Sequence, residues 1–276
     1  LPTLPPPLAA AVKALPAWQE VLKNPGGTTM RAIDPLTGKV AWSVPMQGWQ
    51  DRGGVLTTAS GLTVHGTLAG QLVVRDSRTG KVLKTIETGT SIMAAPMTYR
   101  VGGVQYIAVM AGWGGGGYPY VPRYAAAYSR GNAGRLLVFR LDGGPVPVPD
   151  PLPPLQVAPE PPAQLPGVTP ATIAQGQALF FATGCALCHS NQPRSITPDL
   201  RRMQPEVHQA FDDIVLKGQR VPLGMPRWDD ALKPADAKAI HAYLIDLQGK
   251  TRKDELAKVK AGIPLDAPSL AILSNY

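Results

Sequence analysis

The sequence contains only two cysteines in 276 residues, and they lie three positions apart, at Cys185 and Cys188. A pair this close cannot crosslink distant segments, so a disulfide framework is excluded and the fold depends on hydrophobic cores. Charged residues are few, at 17%, while hydrophobic residues make up 44%. This balance indicates a globular protein rather than a disordered one.

Long apolar runs are also missing. No run approaches the roughly 20 residues that a membrane-spanning helix needs, so the sequence predicts no transmembrane segment. The first residue is Leu1, with no initiator Met and no basic signal region. We therefore expect a processed chain or a fragment of a longer one.

Basic residues outnumber acidic ones by 27 to 19, which gives a net charge of +8. They are spread singly along the chain, without clusters or interleaved aromatic residues, so nucleic acid is not indicated as a partner. A solvated basic surface is the simplest interpretation. Attraction to an acidic partner or to anionic lipid headgroups is the alternative.

Proline is abundant, and ten of the 30 prolines fall within residues 145–168. This density excludes a regular helix or a central strand and favours an extended, polyproline-type path. We predict a linker over 145–168, between a first domain at 1–144 and a second at 169–276. The chain is long enough for two compact domains.

Short segments rich in β-branched and aromatic residues precede the linker. Glycine-containing turns separate them, which predicts an antiparallel meander. The segments are 55–59, 62–65, 71–75, 92–93, 105–110 and 135–140.

A motif repeats within this β region at an offset of 42 residues. Residues 32–42, AIDPLTGKVAW, recur at 74–84 as VRDSRTGKVLK. A four-stranded unit of about this length is typical of a β-propeller blade, with the Asp-x-x-Thr-Gly-Lys run as a turn. About two and a half blades are visible, too few to close a ring. We interpret residues 1–16, rich in proline, as a connection from an upstream segment.

The two cysteines belong to the run Cys185-Ala-Leu-Cys188-His189. At this spacing two thiols can add to the vinyl groups of one porphyrin while the adjacent imidazole binds the iron, so we predict a covalent c-type haem. A redox dithiol would require a thioredoxin-like βαβ setting. A zinc half-site would require two further ligands, and the sequence contains no second cysteine pair.

The residues around this motif predict three helices. Thr169 and Pro170 begin a helix that ends near Gly184, a middle helix covers 206–217, and a last helix begins at 234–236 with apolar residues at helical spacing. The second axial ligand is then expected from the loop after the middle helix, where Met225 lies. Met203 is the competing thioether, placed before the middle helix.

Other polar residues near the predicted haem have simpler interpretations. His208 and His241 fall on helices and are expected at the surface, and His65 is expected to pack on a strand. Three residues flank the Met225 loop and either meet the haem propionates or are solvated loop residues: Arg220, Arg227 and Trp228.

The Ala-x-Asp-x-x-Thr-Gly-Lys-x-x-Trp motif resembles the tryptophan-docking motif of pyrroloquinoline quinone (PQQ) dehydrogenases, and the runs at 53–59, 95–99 and 111–115 resemble their last blades. Lys84 departs from the motif, which has Trp at that position. Gly176 and Phe180 resemble the first helix of class I cytochromes c, and Pro198 the residue whose carbonyl orients the proximal histidine. The resemblance implies a multidomain chain: a partial β-propeller followed by an all-α class I cytochrome c domain.

The resemblance to the C-terminal portion of a quinohaemoprotein alcohol dehydrogenase also implies cofactors. The family's catalytic Asp, calcium site and vicinal disulfide have no counterpart in this chain, so PQQ and calcium are expected only in the complete enzyme. Gly112 and Trp113 are implied as part of the PQQ pocket wall, in a glycine-rich run that permits close approach. Trp49 is a weaker candidate for a second such position.

The expected function is electron transfer through the haem, from reduced PQQ to an external acceptor, in the periplasm. The expected partners are the missing N-terminal propeller portion or subunit, and a redox partner protein or a membrane quinone-reducing subunit. The alternative is a stand-alone cytochrome whose β segment is a docking module without quinone chemistry.

Overall fold

The structure is a computed structural model that describes residues 28–46, 51, 53–114, 121–189 and 192–266, together with Ala10 and Ala14. Contacts divide the chain into two compact units, with one division between Pro153 and Pro154. The β unit includes the described residues between 28 and 153. The helical unit includes those from 154 to 266.

The β unit consists of three antiparallel sheets of two, four and three strands, in the chain orders β1-β2, β3-β4-β5-β6 and β7-β8-β9. Every strand pairs with its neighbour in sequence, which confirms the predicted meander. The strands are β1 Thr29–Ile33, β2 Val40–Pro45, β3 Val55–Thr57, β4 Leu62–Gly66, β5 Gln71–Asp76, β6 Val82–Glu87, β7 Met97–Val101, β8 Val104–Ala111 and β9 Arg135–Arg140, and a short helix, α1, covers Ala126–Arg130.

The predicted strand at 92–93 is wrong. Ile92 makes only an isolated bridge to Gly112, and its side chain is fully buried between sheets. β1, β2 and β6 are strands that flank the two repeated turns, as the repeat predicts. β7 was missed because all of its residues are exposed, so no alternation of buried and exposed residues marks it.

The repeated motif forms two equivalent turns, as predicted. The Asp34 carboxylate accepts from the backbone N–H groups of Leu36 and Thr37. In the second copy the Asp76 carboxylate accepts from Arg78 and Thr79. The Leu36 N–H bond is the largest cause of the lowered pKa of Asp34, and the Thr79 hydroxyl, which also donates to Asp76 at 2.9 Å, is the largest cause of the lowered pKa of Asp76.

Trp42 connects the first turn motif to the second. Its indole Nε1 donates to the carbonyl of Ser77 at 2.9 Å. The ring lies so close to Gly80 that a Cβ added there would stand 2.8 Å from it. Gly80 also has φ +72°, so both space and backbone conformation require glycine. This is the contact that a tryptophan-docking motif makes between neighbouring blades.

The core of the β unit lies between the four-stranded and three-stranded sheets, where Val64, Leu72 and Ile92 pack with Val109 and Leu137. The opposite face of the three-stranded sheet is also apolar. Residues paired across its strands on that face are exposed: Met97, Val101, Val104, Met110, Leu136 and Val138. We call these residues the open sheet face.

The helical unit has two long helices and several short ones around one core. The helices are α2 Pro170–Ala182, α3 Cys185–Cys188, α4 Pro205–Gln209, α5 Phe211–Val215 and α6 Pro234–Lys260, with 3₁₀ turns at Leu200–Arg202 and Val221–Leu223. Thr169 caps α2 through a reciprocal pair of hydrogen bonds with Thr172, as its sequence position predicts. No helix in the described part of the chain is long and apolar enough to span a membrane.

The middle helix predicted at 206–217 is broken into α4 and α5. Ala210, with ψ 12°, interrupts the helical backbone between them. Gly218 ends the region with φ +74°, as expected of a helix stop.

The proline-rich segment contains no helix or strand, as predicted, but each of its ends is attached to a unit. At the β unit, Leu152 N–H donates to Ser129 O at 2.7 Å. At the helical unit, Ala158 N–H donates to the buried Glu255 carboxylate at 2.7 Å. Arg252 in turn donates to Ala158 O at 2.7 Å. The linker around Ala158 is therefore attached to α6.

Candidate haem site

The cysteine pair occupies both ends of the one-turn helix α3. Gly184 precedes it in the left-handed conformation, with φ +80°. The turn closes when His189 N–H donates to Cys185 O at 2.8 Å. Both thiols are free, Cys185 half-buried and Cys188 exposed. Burial raises the pKa of Cys185, so its sulfur is held as the thiol rather than as a thiolate.

His189 is oriented by a backbone carbonyl. Its Nδ1 donates to Pro198 O at 2.9 Å, the contact predicted for this proline. A protonated Nδ1 leaves the Nε2 lone pair of the neutral ring for a metal. Burial lowers the pKa of His189, which favours this neutral form over the imidazolium.

A pocket with about 490 Å³ of empty space, part of it open to solvent, lies beside His189. Its walls are apolar except for His189 and the Cys185 thiol. The other lining residues are Phe180, Leu200, Met203, Val207, Phe211, Ile214, Val215, Met225, Trp228, Ile240 and Leu244. A large apolar ring bearing an iron fits this donor set, because the lining is largely apolar and the Cys185 thiol, the His189 imidazole and the thioethers of Met203 and Met225 line the same space.

Met225 reaches the pocket from an exposed loop. The 3₁₀ turn Val221–Leu223 ends at Gly224 with φ +91°. Met225 N–H then donates to Arg220 O at 3.2 Å, and Trp228 N–H to Val215 O at 2.9 Å. Pro226 stiffens the chain between these two attachments. Met203 lines the same pocket, so both candidate thioethers are brought to it.

Comparison with known proteins gives the same two parts in the same order. Residues 9–107 match the β-propeller domain of glucose/ethanol/alcohol dehydrogenases. Residues 171–244 match the family described as cytochrome c oxidase, cbb3-type, subunit III.

Relatives match across the joined parts. The chain is 37% identical to quinohemoprotein alcohol dehydrogenase ADH IIB of Pseudomonas putida over 83% of its own length and 33% of the relative's. The dehydrogenase subunit of the Komagataeibacter europaeus alcohol dehydrogenase (quinone) is 32% identical over 97% of the chain and 35% of the relative. The crystal structure of the Pseudomonas putida enzyme ADHIIG superposes with a TM-score of 0.67, at 33% identity, covering 82% of this chain and 32% of that one.

This chain matches the C-terminal portion of the quinohaemoprotein alcohol dehydrogenases. It spans about a third of the length of the curated relatives it matches. The β unit is a partial propeller and the helical unit is a cytochrome c domain, the class of domain that carries haem c.

Gly112 and Trp113 are the two residues that the resemblance to quinohaemoprotein dehydrogenases implies for the PQQ pocket wall. Gly112 has φ +151° and its N–H donates to Ser91 O at 2.6 Å. Trp113 is buried, and its N–H donates to the Asn132 side chain at 2.6 Å. The backbone at this point is therefore held from both sides. Trp49 and residues 115–118 of the glycine-rich run lie outside the described residues.

The prediction that His208 and His241 are surface residues is wrong. Each is only 7% exposed, and the two rings are hydrogen-bonded at 2.9 Å between His208 Nδ1 and His241 Nε2. Helical spacing alone could not reveal this contact, because the partners lie 33 residues apart. His65 packs inside the β unit as predicted, with Arg75 donating to its Nε2.

The residues flanking the Met225 loop separate into two groups. Trp228 lines the haem pocket. Arg220 and Arg227 are exposed, and Arg227 pairs with Asp229 at 2.6 Å. A role for either arginine at the propionates stays a prediction.

Proposed function

We propose that this chain is the electron-exit part of a PQQ-dependent alcohol dehydrogenase. Cys185 and Cys188 would hold the haem by thioether bonds, and His189 Nε2 and Met225 Sδ would bind its iron. When bound, the haem supplies a one-electron iron couple. The protein keeps the ring away from water and orients His189 through Pro198, which stabilises one ligand geometry in both oxidation states.

The observation that carries this proposal is the arrangement at the pocket. The Nδ1–H of His189 is occupied by the Pro198 carbonyl, so its Nε2 is available in a pocket that the Cys185 thiol and two thioethers also line, while Cys188 is exposed at the other end of α3. A thioether ligand favours reduced iron and raises the reduction potential, which suits an electron acceptor of reduced quinone.

The full chain, produced in cells that attach c-type haem, tests the haem assignment. We expect the mass of the chain plus one haem, resistant to acid extraction. Met225→Leu should remove the Met-to-ferric-iron charge-transfer band, while Met203→Leu, the matched control in the same pocket, should retain it. The reverse result would assign the iron to Met203.

The open sheet face supports the second half of the proposal. Its exposed apolar residues include Met97, Met110 and Leu136, each more than half exposed. A propeller buries both faces of each blade by closing radially, so the remaining blades of a propeller are the expected cover. These blades, as an N-terminal portion or a separate subunit, would contribute the catalytic Asp, calcium and most of the PQQ pocket, with Gly112 and Trp113 in its wall.

Reconstitution tests the enzyme assignment. The chain is mixed with the remaining propeller portion of a relative, PQQ and Ca²⁺, and haem reduction by primary alcohols is followed by absorbance. We expect reduction only when all components are present. The haem would then be reoxidised by a redox partner protein or a membrane quinone-reducing subunit in the periplasm. Failure of every combination to reduce an intact haem would contradict the proposal.

A stand-alone electron-transfer cytochrome is the second candidate. The helical unit has its own core, distinct from that of the β unit, and this favours independent function. Native mass spectrometry distinguishes the two, since a haem-loaded chain isolated from its source without a partner supports the second candidate.

A further inference from the structure

A buried chain of polar side chains crosses the helical unit beside the haem pocket. His208 on α4 and His241 on α6 are joined at 2.9 Å, and His208 Nε2 lies 3.0 Å from the Oε1 of Gln248. All three side chains are at least nine-tenths buried. The proposed electron-transfer role assigns nothing to them.

The hydrogen bonds of Gln248 determine where the protons lie. Its Nε2 donates to the carbonyls of Pro159 and Met203, at 3.0 and 3.1 Å. Its Oε1 must then accept, so His208 Nε2 donates to it. A neutral His208 therefore accepts at Nδ1 from His241 Nε2–H. Nδ1 of His241 is left as the nitrogen at which the pair can take up a further proton.

Phe211 separates this pair from the haem pocket. Its ring stacks on His241, with centroids 4.2 Å apart and planes inclined by 8°. Phe211 lines the haem pocket and also a groove of mixed polarity with about 940 Å³ of empty space, open to solvent. His208 and His241 line that groove as well. One aromatic side chain thus stands between the pocket and two histidines that water can reach.

We propose that the His208–His241 pair is a proton-binding site coupled to the oxidation state of a haem held in the adjacent pocket. The coupling rests on the proposed function, which supplies the electron from reduced quinone. Nδ1 of His241 would take up one proton from water through the groove as a bound haem is reduced by one electron. It would return that proton to water as the haem is reoxidised by the acceptor, so each cycle would balance in charge.

The direction in which haem reduction changes the proton affinity of the pair follows from electrostatics in an interior of low dielectric constant. A proton on the pair is repelled less by ferrous than by ferric iron, so reduction raises the proton affinity of the pair. Burial, followed by the charge of His208, lowers the pKa of His241 to about 4, and burial also lowers that of His208. The groups that face the pair are Asp212 on α5 and Lys238 on α6 in the groove; Leu165 and Pro166 on the linker side carry no charge. Proton uptake on reduction is therefore expected on the acid side of neutrality.

Spectroelectrochemistry of the haem-loaded full chain between pH 4 and pH 8 tests this proposal. We expect the reduction potential to fall by about 59 mV in total as the pH rises over this range. For a one-electron reduction this corresponds to a tenfold change in the equilibrium constant. His241→Gln preserves a donor to His208 but does not titrate, and should abolish most of this dependence. Asp212→Asn, a titratable neighbour in the same groove, should retain it.

A second measurement needs no variant. Reducing the wild-type chain in weakly buffered solution near pH 5 should take up a measurable fraction of a proton per electron. A potential independent of pH, no proton uptake, or a dependence that survives in His241→Gln but disappears in Asp212→Asn would overturn the proposal. Covalent haem is verified by absorbance beforehand. A chain without haem would contradict the proposed function, whereas a haem with a pH-independent potential would contradict this inference alone.

Discussion

At Gly176 the backbones of α2 and α6 lie in contact. A Cβ added there would stand 1.9 Å from the carbonyl oxygen of Ala239, whose helix carries Tyr243 against Phe180 one turn further along. No side chain can relieve this overlap, because the obstructing atom belongs to the backbone of a long helix. The presence of glycine here is therefore a packing requirement.

Gly176→Ala should destabilise the helical unit by about 1–3 kcal/mol or more, since the two helices must separate to admit a methyl group. Gly249→Ala, on α6 itself, is the matched control: the nearest atom to its Cβ would be Pro161 Cγ at 3.7 Å. That change should be neutral or slightly stabilising. Urea unfolding followed by circular dichroism measures both, and equal effects would contradict the packing argument.

The histidine pair also makes stability depend on pH. His241 has a folded pKa of about 4 against 6.5 in the unfolded chain. The unfolded state thus binds the proton first, and stability present above pH 6.5 is lost as the pH falls towards 4. We expect the free energy of unfolding of the wild type to be lower at pH 5 than at pH 7, by at most about 2 kcal/mol from this group because solvent screening reduces the effect. The loss should be smaller in His241→Gln, measured by urea unfolding at both pH values.

At the scale of elements, the linker is attached to α6 by Glu255. Its carboxylate accepts from Ala158 N–H and pairs with Arg202. Arg202 also donates to Gln156 O at 2.6 Å. The sequence indicated an extended linker, but proline content alone could not reveal these attachments, because the donors and acceptors come from residues up to 97 positions away.

Glu255→Ala should loosen the attachment of residues 156–160 to α6, where Arg252 and Gln248 still donate to the carbonyls of Ala158 and Pro159. The buried N–H of Ala158 and the Arg202 guanidinium would lose a charged partner, so faster amide exchange in this segment and a loss of roughly 1–3 kcal/mol are expected. Glu160→Ala provides the control, since that side chain is largely exposed. Hydrogen exchange followed by mass spectrometry checks both, and unchanged exchange at Ala158 in Glu255→Ala would contradict the assignment.

At the scale of the whole molecule, the open sheet face exposes apolar side chains within the part of the chain that the structure describes. Leu136 is 63% exposed and paired across the strands with Met110. Contiguous apolar surface of this kind marks an interaction site. The same face makes the isolated chain prone to self-association.

Leu136→Glu should reduce self-association of the isolated chain and weaken its binding to the remaining propeller portion at least tenfold, because a carboxylate would be buried without a partner. Leu141→Glu, on an exposed turn beyond β9, is the control and should leave binding unchanged. Light scattering and calorimetric titration measure the two effects. Equal binding by both variants would exclude this face as the interface.

The sequence by itself determined the features that depend on neighbours along the chain. These include the haem motif, the Asp34 and Asp76 turns, the Thr169 cap and the Gly218 helix stop, because each rests on local hydrogen bonds or backbone angles. Tertiary structure alone decided the rest. It broke the middle helix at Ala210, buried His208 against His241, brought Met203 into the pocket beside Met225 and attached the prolines to α6. These features depend on burial and on contacts between residues tens of positions apart, which local periodicity does not encode.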